Sequence, residues 1–369
     1  MKIPLSRPDI SQDEIKMVNK VLKTPFLSIG PMVQEFERNF AKFTGAKYAA
    51  AVSSGTAGLH LALRALNIGP GDEVITSPFS FIASANSILF QNAVPVFVDI
   101  DPVSWNIDPL KIEKAISPRT KAILPVHVFG QPCEMEAIMS IAKKHNLYVI
   151  EDACESFGAI YEDKHSGTIG DIGVFGFYPN KQITTGEGGM VITNNRELLY
   201  NVMSLRNQGR PVEGGKWLEH TQLGYNYRLD EMSAALGIAQ LRRAKKILQM
   251  RQDIADLYKE SIDNIEGIEI LPDLPGTLRS WFVYVVKLAS DVKRADVIAK
   301  LTKRGIDTGT YFPCIHLQPF YKQKFGYKEG SFPVAEQISR STLALPFHNK
   351  LTRKEINFIA DTLISILER

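Results

Sequence analysis

The sequence predicts an α/β fold in two parts: a large domain over residues 1–250 with a central, mainly parallel sheet, and a smaller C-terminal α/β domain over residues 251–369. Three observations carry this prediction. Between Tyr48 and Ile150, short apolar runs alternate with amphipathic stretches of helical period, the pattern of parallel strands with a helix on each crossover. After Gly173 the alternation breaks off, and strand and helix patterns return beyond a long helical region. The chain also has 369 residues, more than a single hydrophobic core usually serves.

In chain order, Ser11 and Glu14 have capping-box spacing, and Ile15, Val18 and Leu22 recur on one helical face. A second helix is predicted from Pro31, with Val33, Phe36, Phe40 and Phe43 on one side, ending at Gly45. A strand over Tyr48–Val52 leads into a helix from Thr56 to Leu66. The turn Gly69-Pro70-Gly71-Asp72 feeds a strand, Glu73–Thr76, and a helix over Phe81–Phe90. Strand Val94–Val98, helix Pro109–Ile116, strand Ala122–Val126, helix Glu134–His145 and strand Leu147–Ile150 continue the alternation. Two apolar segments, Val174–Tyr178 and Gly189–Thr193, flank a polar turn containing glycine. Asn207–Gln222 has little periodicity and reads as a long loop. Asp230–Ile262 reads as one long helical connector. Strands near Ile268–Leu271 and Trp281–Leu288, with helices near Val292–Arg304, Val334–Ser341 and Arg353–Leu367, form the smaller domain.

Composition excludes several classes of function. The 43 Lys and Arg against 40 Asp and Glu leave a formal charge of +3 with no basic cluster, which argues against nucleic-acid binding. The best apolar run, Trp281 to Ala289, is interrupted by Lys287 and is shorter than the roughly 20 residues a membrane span needs. The N-terminus lacks the apolar core of a signal peptide. Cys133, Cys154 and Cys314 lie far apart without a C-x-x-C, so the expectation is a cytoplasmic protein with reduced thiols. The seven histidines show no metal-binding spacing, so no metal is expected. There is no G-x-G-x-x-G, no G-x-x-x-x-G-K-[ST] and no G-x-S-x-G.

In an open parallel sheet, ligands sit beyond the carboxyl ends of the strands. After the first strand comes Ser53-Ser54-Gly55-Thr56-Ala57-Gly58, then an apolar helix. Free N–H groups at such a helix start suit a phosphate, and the same residues also suit a plain N-cap. Glu151 and Asp152 follow the strand ending at Ile150. A carboxylate there can accept a hydrogen bond from a ligand's ring N–H⁺, or it can cap the next turn. Lys181 lies between two short strands, with three glycines following at Gly186, Gly188 and Gly189. Most lysines are solvated surface charges, but a lysine in a closed site can form a Schiff base. A phosphate cup, an aromatic, a strand-end carboxylate and a lysine in a tight turn together match the needs of pyridoxal 5′-phosphate (PLP).

From these residues outward, the chain resembles the DegT/StrS-type sugar aminotransferases, PLP enzymes of the aspartate-aminotransferase fold (fold type I). The resemblance spans nearly the whole chain. It includes Ser54-Gly55-Thr56-Ala57, Gly69-Pro70-Gly71-Asp72-Glu73-Val74, Val98-Asp99-Ile100-Asp101, the segment Pro125 to Pro132, Glu151-Asp152-Ala153, Gly186-Glu187-Gly188-Gly189 and Gly224-Tyr225-Asn226-Tyr227-Arg228. The resemblance implies that Lys181 is the Schiff-base lysine and that Asp152 pairs with the pyridinium nitrogen. It implies that Phe81 stacks on the ring and that Gly55 and Thr56 hold the phosphate. Asn226 matches an asparagine that the neighbouring subunit offers to the phosphate, which implies a homodimer with shared active sites. Two positions depart from the common family pattern: Gly176 stands where a serine is frequent, and Glu155 stands where glutamine or histidine is frequent.

These departures, with Asn207-Gln208-Gly209-Arg210 and the Trp217/His220 loop, resemble the perosamine-synthase branch. That branch moves an amino group from L-glutamate to the C4 ketone of GDP-4-keto-6-deoxymannose, for surface polysaccharide or amino-sugar biosynthesis. A UDP-linked 4-keto sugar and a PLP-binding regulator without turnover are the alternatives. The segment containing Tyr311, His316 and Tyr321 resembles one that faces the sugar. His316 is expected either to donate to a sugar oxygen or to be a buried structural histidine. Arg228 and Arg210 have the chemistry to pair with a diphosphate, although for Arg210 a place on the surface is the more common role.

Overall fold

A computed structural model describes residues 2–367. Two helices precede the sheet. In α1 (Gln12–Val21) the capping box forms, with the Glu14 carboxylate accepting the Ser11 N–H at 2.7 Å. Helix α2 (Pro31–Thr44) begins on its proline and ends where Gly45 takes φ +79°, a left-handed conformation that suits glycine. Its Val33, Phe36 and Phe40 are buried against the sheet.

Then follow β1 (Tyr48–Val52), α3 (Gly55–Ala65), β2 (Glu73–Thr76), α4 (Ala83–Phe90), β3 (Val94–Phe97), α5 (Pro109–Ala115), β4 (Thr120–Leu124), α6 (Met135–His145) and β5 (Tyr148–Asp152). A pair of two-residue strands, β6 (Ile160–Tyr161) and β7 (Lys164–His165), precedes β8 (Ile172–Gly176), β9 (Gly189–Thr193) and α7 (Arg196–Arg206). The seven-stranded sheet has the order β1-β9-β8-β5-β4-β2-β3. Strands β3, β2, β4, β5 and β8 are parallel, and β9 runs antiparallel to both β8 and β1. So β1 shares the direction of the others, as the expected mainly parallel α/β sheet requires.

This topology brings the chemistry to one edge. The carboxyl ends of β1, β8 and β5 and the amino end of β9 lie side by side, because Val52 pairs with Gly189 and Asp152 with Val174. Helix α3 packs directly on the sheet above them. A Cβ at Gly58 would lie 2.6 Å from Val174 Cγ1, so only glycine permits that approach.

The predicted long connector is two helices, α8 (Glu231–Arg242) and α9 (Ala244–Ile262), broken at Arg243 (φ −98°, ψ 0°). The break has a side-chain anchor: the Arg243 guanidinium binds Glu14 at 2.6 Å and Asp9 at 3.2 Å. Helix α9 serves both cores. Ala244 and Ile247 pack with the large sheet, while Ile254, Ala255 and Tyr258 pack in the C-terminal core. Beyond it come β10 (Ile268–Ile270), β11 (Thr277–Leu278), β12 (Tyr284–Leu288), α10 (Arg294–Lys303), α11 (Pro319–Phe325), α12 (Pro333–Ser341), β13 (Thr342–Leu345) and α13 (Arg353–Leu367). Strands β10, β12 and β13 form a second, antiparallel sheet, and β11 reaches back to pair with β6. Ile3, fully buried, joins this C-terminal core through a bridge to Ile306, although it stands at the start of the chain. Helices α7 and α11, strand β13 and the small β6–β7–β11 sheet are additions to the elements expected from the sequence.

Candidate active site

A cavity of about 530 Å³ opens over the carboxyl edge of the sheet. One end is the start of α3. There the Ser54 hydroxyl oxygen accepts the Ala57 N–H at 3.0 Å, and helix geometry leaves the Gly55 and Thr56 N–H groups without an intrahelical acceptor. Both residues line the cavity. Gly55 also sits tight against Cys154, whose Sγ would be 2.7 Å from an added Cβ. Burial pushes the Cys154 thiol well above its ordinary value, and the Asp152 charge adds to this, so the sulfur is a neutral packing group. Gly176 lies on the other side of the same sulfur, and a Cβ there would make ordinary contacts of 3.5 Å. Packing therefore does not require glycine at this position.

Asp152 ends β5 and is 5% exposed. Its two oxygens accept from the Ser84 hydroxyl at 2.7 Å and the Cys154 N–H at 3.2 Å, which fixes the carboxylate's orientation. Phe81, on the approach to α4, lines the cavity with a ring 61% exposed, an unusual placement for a large apolar side chain.

Lys181 reaches the cavity from the turn between β8 and β9. Its Nζ lies 3.6 Å from Glu155 Oε1 and 3.9 Å from the centre of the Phe282 ring. Glu155 is buried, and its other oxygen accepts the Phe129 N–H at 2.9 Å. Burial raises the Glu155 carboxyl above its ordinary value, with the Lys181 charge pulling the other way. Tyr311 lines the same cavity beside Asn180. Burial raises its phenol, and the Glu155 charge adds to this. The Asn180 Oδ1 is buried without a hydrogen-bond partner.

The structure thus gathers Lys181, Asp152, Gly55, Thr56, Phe81, Glu155, Gly176 and Tyr311 around one cavity. Five expected residues lie elsewhere. His316 is fully buried, its Nε2 3.1 Å from Glu336 Oε1 and its ring edge-on to Phe332. Burial pushes its imidazole down, against the pull of Glu336. It is not among the cavity's lining residues, so of its two expected roles, sugar donor and buried structural histidine, the burial and the Glu336 contact fit the second. Tyr321 is likewise fully buried and donates to Asn86 Oδ1 at 2.8 Å. Arg228 and Arg210 line a separate cavity of about 210 Å³ between α2 and α7, where Arg228 Nη1 donates to Asn207 Oδ1 at 3.1 Å. Asn226 is exposed and lines neither cavity within its own chain.

Sequence reasoning missed Ser84, Asn180 and Phe282. Ser84 stands three residues beyond Phe81, and that spacing on a helical turn was its available signal. Phe282 arrives from a distant part of the chain, and nothing local marks it.

The donor set fits PLP. Two free N–H groups at a helix start suit its phosphate, an oriented buried carboxylate suits a ring N–H⁺, an exposed aromatic suits a flat ring, and a sheltered amine suits an aldehyde.

The comparisons with known proteins agree with this chemistry. A sequence model of the DegT/DnrJ/EryC1/StrS aminotransferase family matches residues 8–364. The spore coat polysaccharide biosynthesis protein SpsC of Bacillus subtilis is 40% identical over 379 residues, covering 99% of this chain and 97% of that protein. The GDP-perosamine synthase of Caulobacter vibrioides is 39% identical over 370 residues, covering 99% and 98%. Among solved structures, the PMP form of Spr1654 from Streptococcus pneumoniae superposes with a TM-score of 0.95 at 28% identity, covering 100% of this chain and 98% of that one. Its PLP form gives a TM-score of 0.94. With that architecture and that cavity, the chain belongs to the DegT/DnrJ/EryC1/StrS aminotransferase family and is a PLP-dependent sugar aminotransferase of fold type I.

Proposed function

We propose that the protein moves an amino group from L-glutamate to the C4 ketone of a nucleotide-linked 4-keto-6-deoxy sugar, GDP-4-keto-6-deoxymannose. The likeness to a GDP-perosamine synthase along nearly the full length of both chains carries this reading. In it, Gly55 and Thr56 bind the cofactor's phosphate, Phe81 packs on its ring, and Asp152 holds its ring nitrogen. Bound PLP supplies the electron sink for the carbanion left when an α-proton departs. Lys181 is the base that takes that proton and returns it one position away. It is placed for this by its turn and by the Phe282 face, which keeps water from one side of Nζ. Glu155, beside Lys181, carries or releases a proton as the charge around the amine changes. Tyr311 and the unpartnered Asn180 oxygen offer a hydrogen-bond donor and acceptor to the sugar's hydroxyls.

The reading includes a homodimer in which Asn226 and Arg228 serve the neighbouring subunit's cavity, since both stand away from their own. It also places the enzyme in the cytoplasm, where Cys133, Cys154 and Cys314, all free, remain thiols. No helix among the described residues is long and apolar enough to cross a membrane. The product would feed surface polysaccharide or amino-sugar synthesis.

A two-step absorbance titration tests the substrate. L-Glutamate should bleach the cofactor's long-wavelength band, and GDP-4-keto-6-deoxymannose should restore it. Restoration by a UDP-linked 4-keto-6-deoxy sugar alone would overturn the GDP assignment.

A further inference from the structure

Arg251 is a buried cation without a carboxylate. It stands on α9, 5% exposed, and among the described residues no acidic group lies within ion-pair distance of it. Its hydrogen bonds all go to backbone carbonyls: Nη2 to Lys181 at 3.0 Å, and Nη1 to Trp281 and Phe282 at 3.2 Å each. Its Nε is buried and unpartnered. The guanidinium carbon lies 5.5 Å from the centre of the Phe347 ring. Burial pulls its pKa down to about 10, with Asp9 opposing from a distance, so it stays charged at neutral pH.

A charge held this way is expensive for folding, because carbonyl dipoles replace only part of its hydration. An apolar side chain of similar volume would serve the core as well or better. What an apolar residue could not do is tie three carbonyls from two distant segments to one rigid plane. Those segments carry the two halves of a single contact. One is Lys181. The other is Phe282, whose ring centre lies 3.9 Å from the Lys181 Nζ.

We propose that Arg251 is a positioning residue for the transamination step: it locks the Lys181 backbone to the Phe282 backbone, and so holds the amine against the ring and opposite Glu155. Lysine could satisfy one carbonyl but not span both segments, so charge alone does not replace it. The inference rests on Lys181 being the reacting amine.

The test uses full-length, PLP-saturated wild type, Arg251→Met, Arg251→Lys, Phe282→Leu and the Arg251→Met/Phe282→Leu double variant, with Lys181→Ala as a control. Three quantities are read: the urea midpoint, the visible circular dichroism per bound cofactor, and the maximal rate and half-saturating L-glutamate of the first half-reaction. In Arg251→Met the maximal rate should fall about 10- to 100-fold, the cost of a misplaced reacting group. Half-saturating glutamate should move less than about threefold. The visible dichroism should weaken. Arg251→Lys should keep the urea midpoint near wild type without recovering the rate. Because both side chains act on one contact, the double variant should be little slower than the slower single variant. A changed urea midpoint with unchanged rate and dichroism would overturn the proposal, as would rate losses that multiply in the double variant. Should Arg251→Met fail to fold, Arg251→Lys with a wild-type rate gives the same negative answer. A Lys181→Ala protein that keeps the rate would instead overturn the role of Lys181.

Discussion

At Lys181, an amine, a buried carboxyl and an aromatic ring meet within 4 Å of one nitrogen. Replacing the lysine with alanine should leave PLP binding measurable through the phosphate cup. It should cut the glutamate half-reaction by more than about 10³-fold, as stopped-flow absorbance would show. Glu155 makes a pH prediction. Its folded carboxyl is raised by burial, so the fold favours the protonated form. The stability that this contributes is full below the ordinary glutamate value of 4.5 and is lost as pH rises through the raised one. Cofactor-free Glu155→Gln, which stays neutral, should therefore gain in urea midpoint over wild type as pH climbs from 4.5 to 8. A difference that does not change with pH would contradict the assignment. At this scale the sequence was informative where a residue's type was odd for its setting: a lysine before three glycines, a carboxylate at a strand end. Ser84 and Arg251 were hidden because their roles are relations to Asp152 and Lys181 that only folding creates. His316 kept two readings because a motif segment can face a ligand with some residues and the core with others, and folding buries it.

Helix α3 carries the phosphate cup, and its height above the sheet is set at Gly58. Gly58→Ala must push a methyl into Val174, with Val191 and Val52 close behind. It should cost about 1–3 kcal/mol in urea unfolding and weaken PLP binding by tilting the first turn of α3. Unchanged affinity would show that the cup does not depend on that packing. The alternating strands and helices of the large sheet were legible because a strand buried on both faces must be a short apolar run. The break between α8 and α9 was not, since helical periodicity continues through Arg243 and the cause lies at Glu14 and Asp9. Strand β13 follows α12 with no turn residue between them, which hid it. The two-residue strands are too short for any period to register.

For the molecule as a whole, the sheet order explains why one cavity collects residues as distant as Gly55, Asp152 and Gly176, while Tyr311 reaches it from the C-terminal part of the chain. What one chain does not collect are Asn226 and Arg228, both readable as motif residues yet outside that cavity's lining. If they serve a partner, mixing inactive Lys181→Ala with inactive Asn226→Ala protein should restore activity. A hybrid dimer then has one site with both native residues, and sedimentation would confirm the dimer. No recovery in a verified hybrid would place Asn226 outside the site.

The most direct measurement follows the transferred nitrogen itself. Wild-type enzyme is given ¹⁵N-labelled L-glutamate and GDP-4-keto-6-deoxymannose, and the product is read by mass spectrometry and NMR. The expected result is a GDP-linked 4-amino-4,6-dideoxy sugar carrying ¹⁵N at C4, with 2-oxoglutarate formed in equal amount. A sugar recovered without label, or labelled at another carbon, would contradict the account.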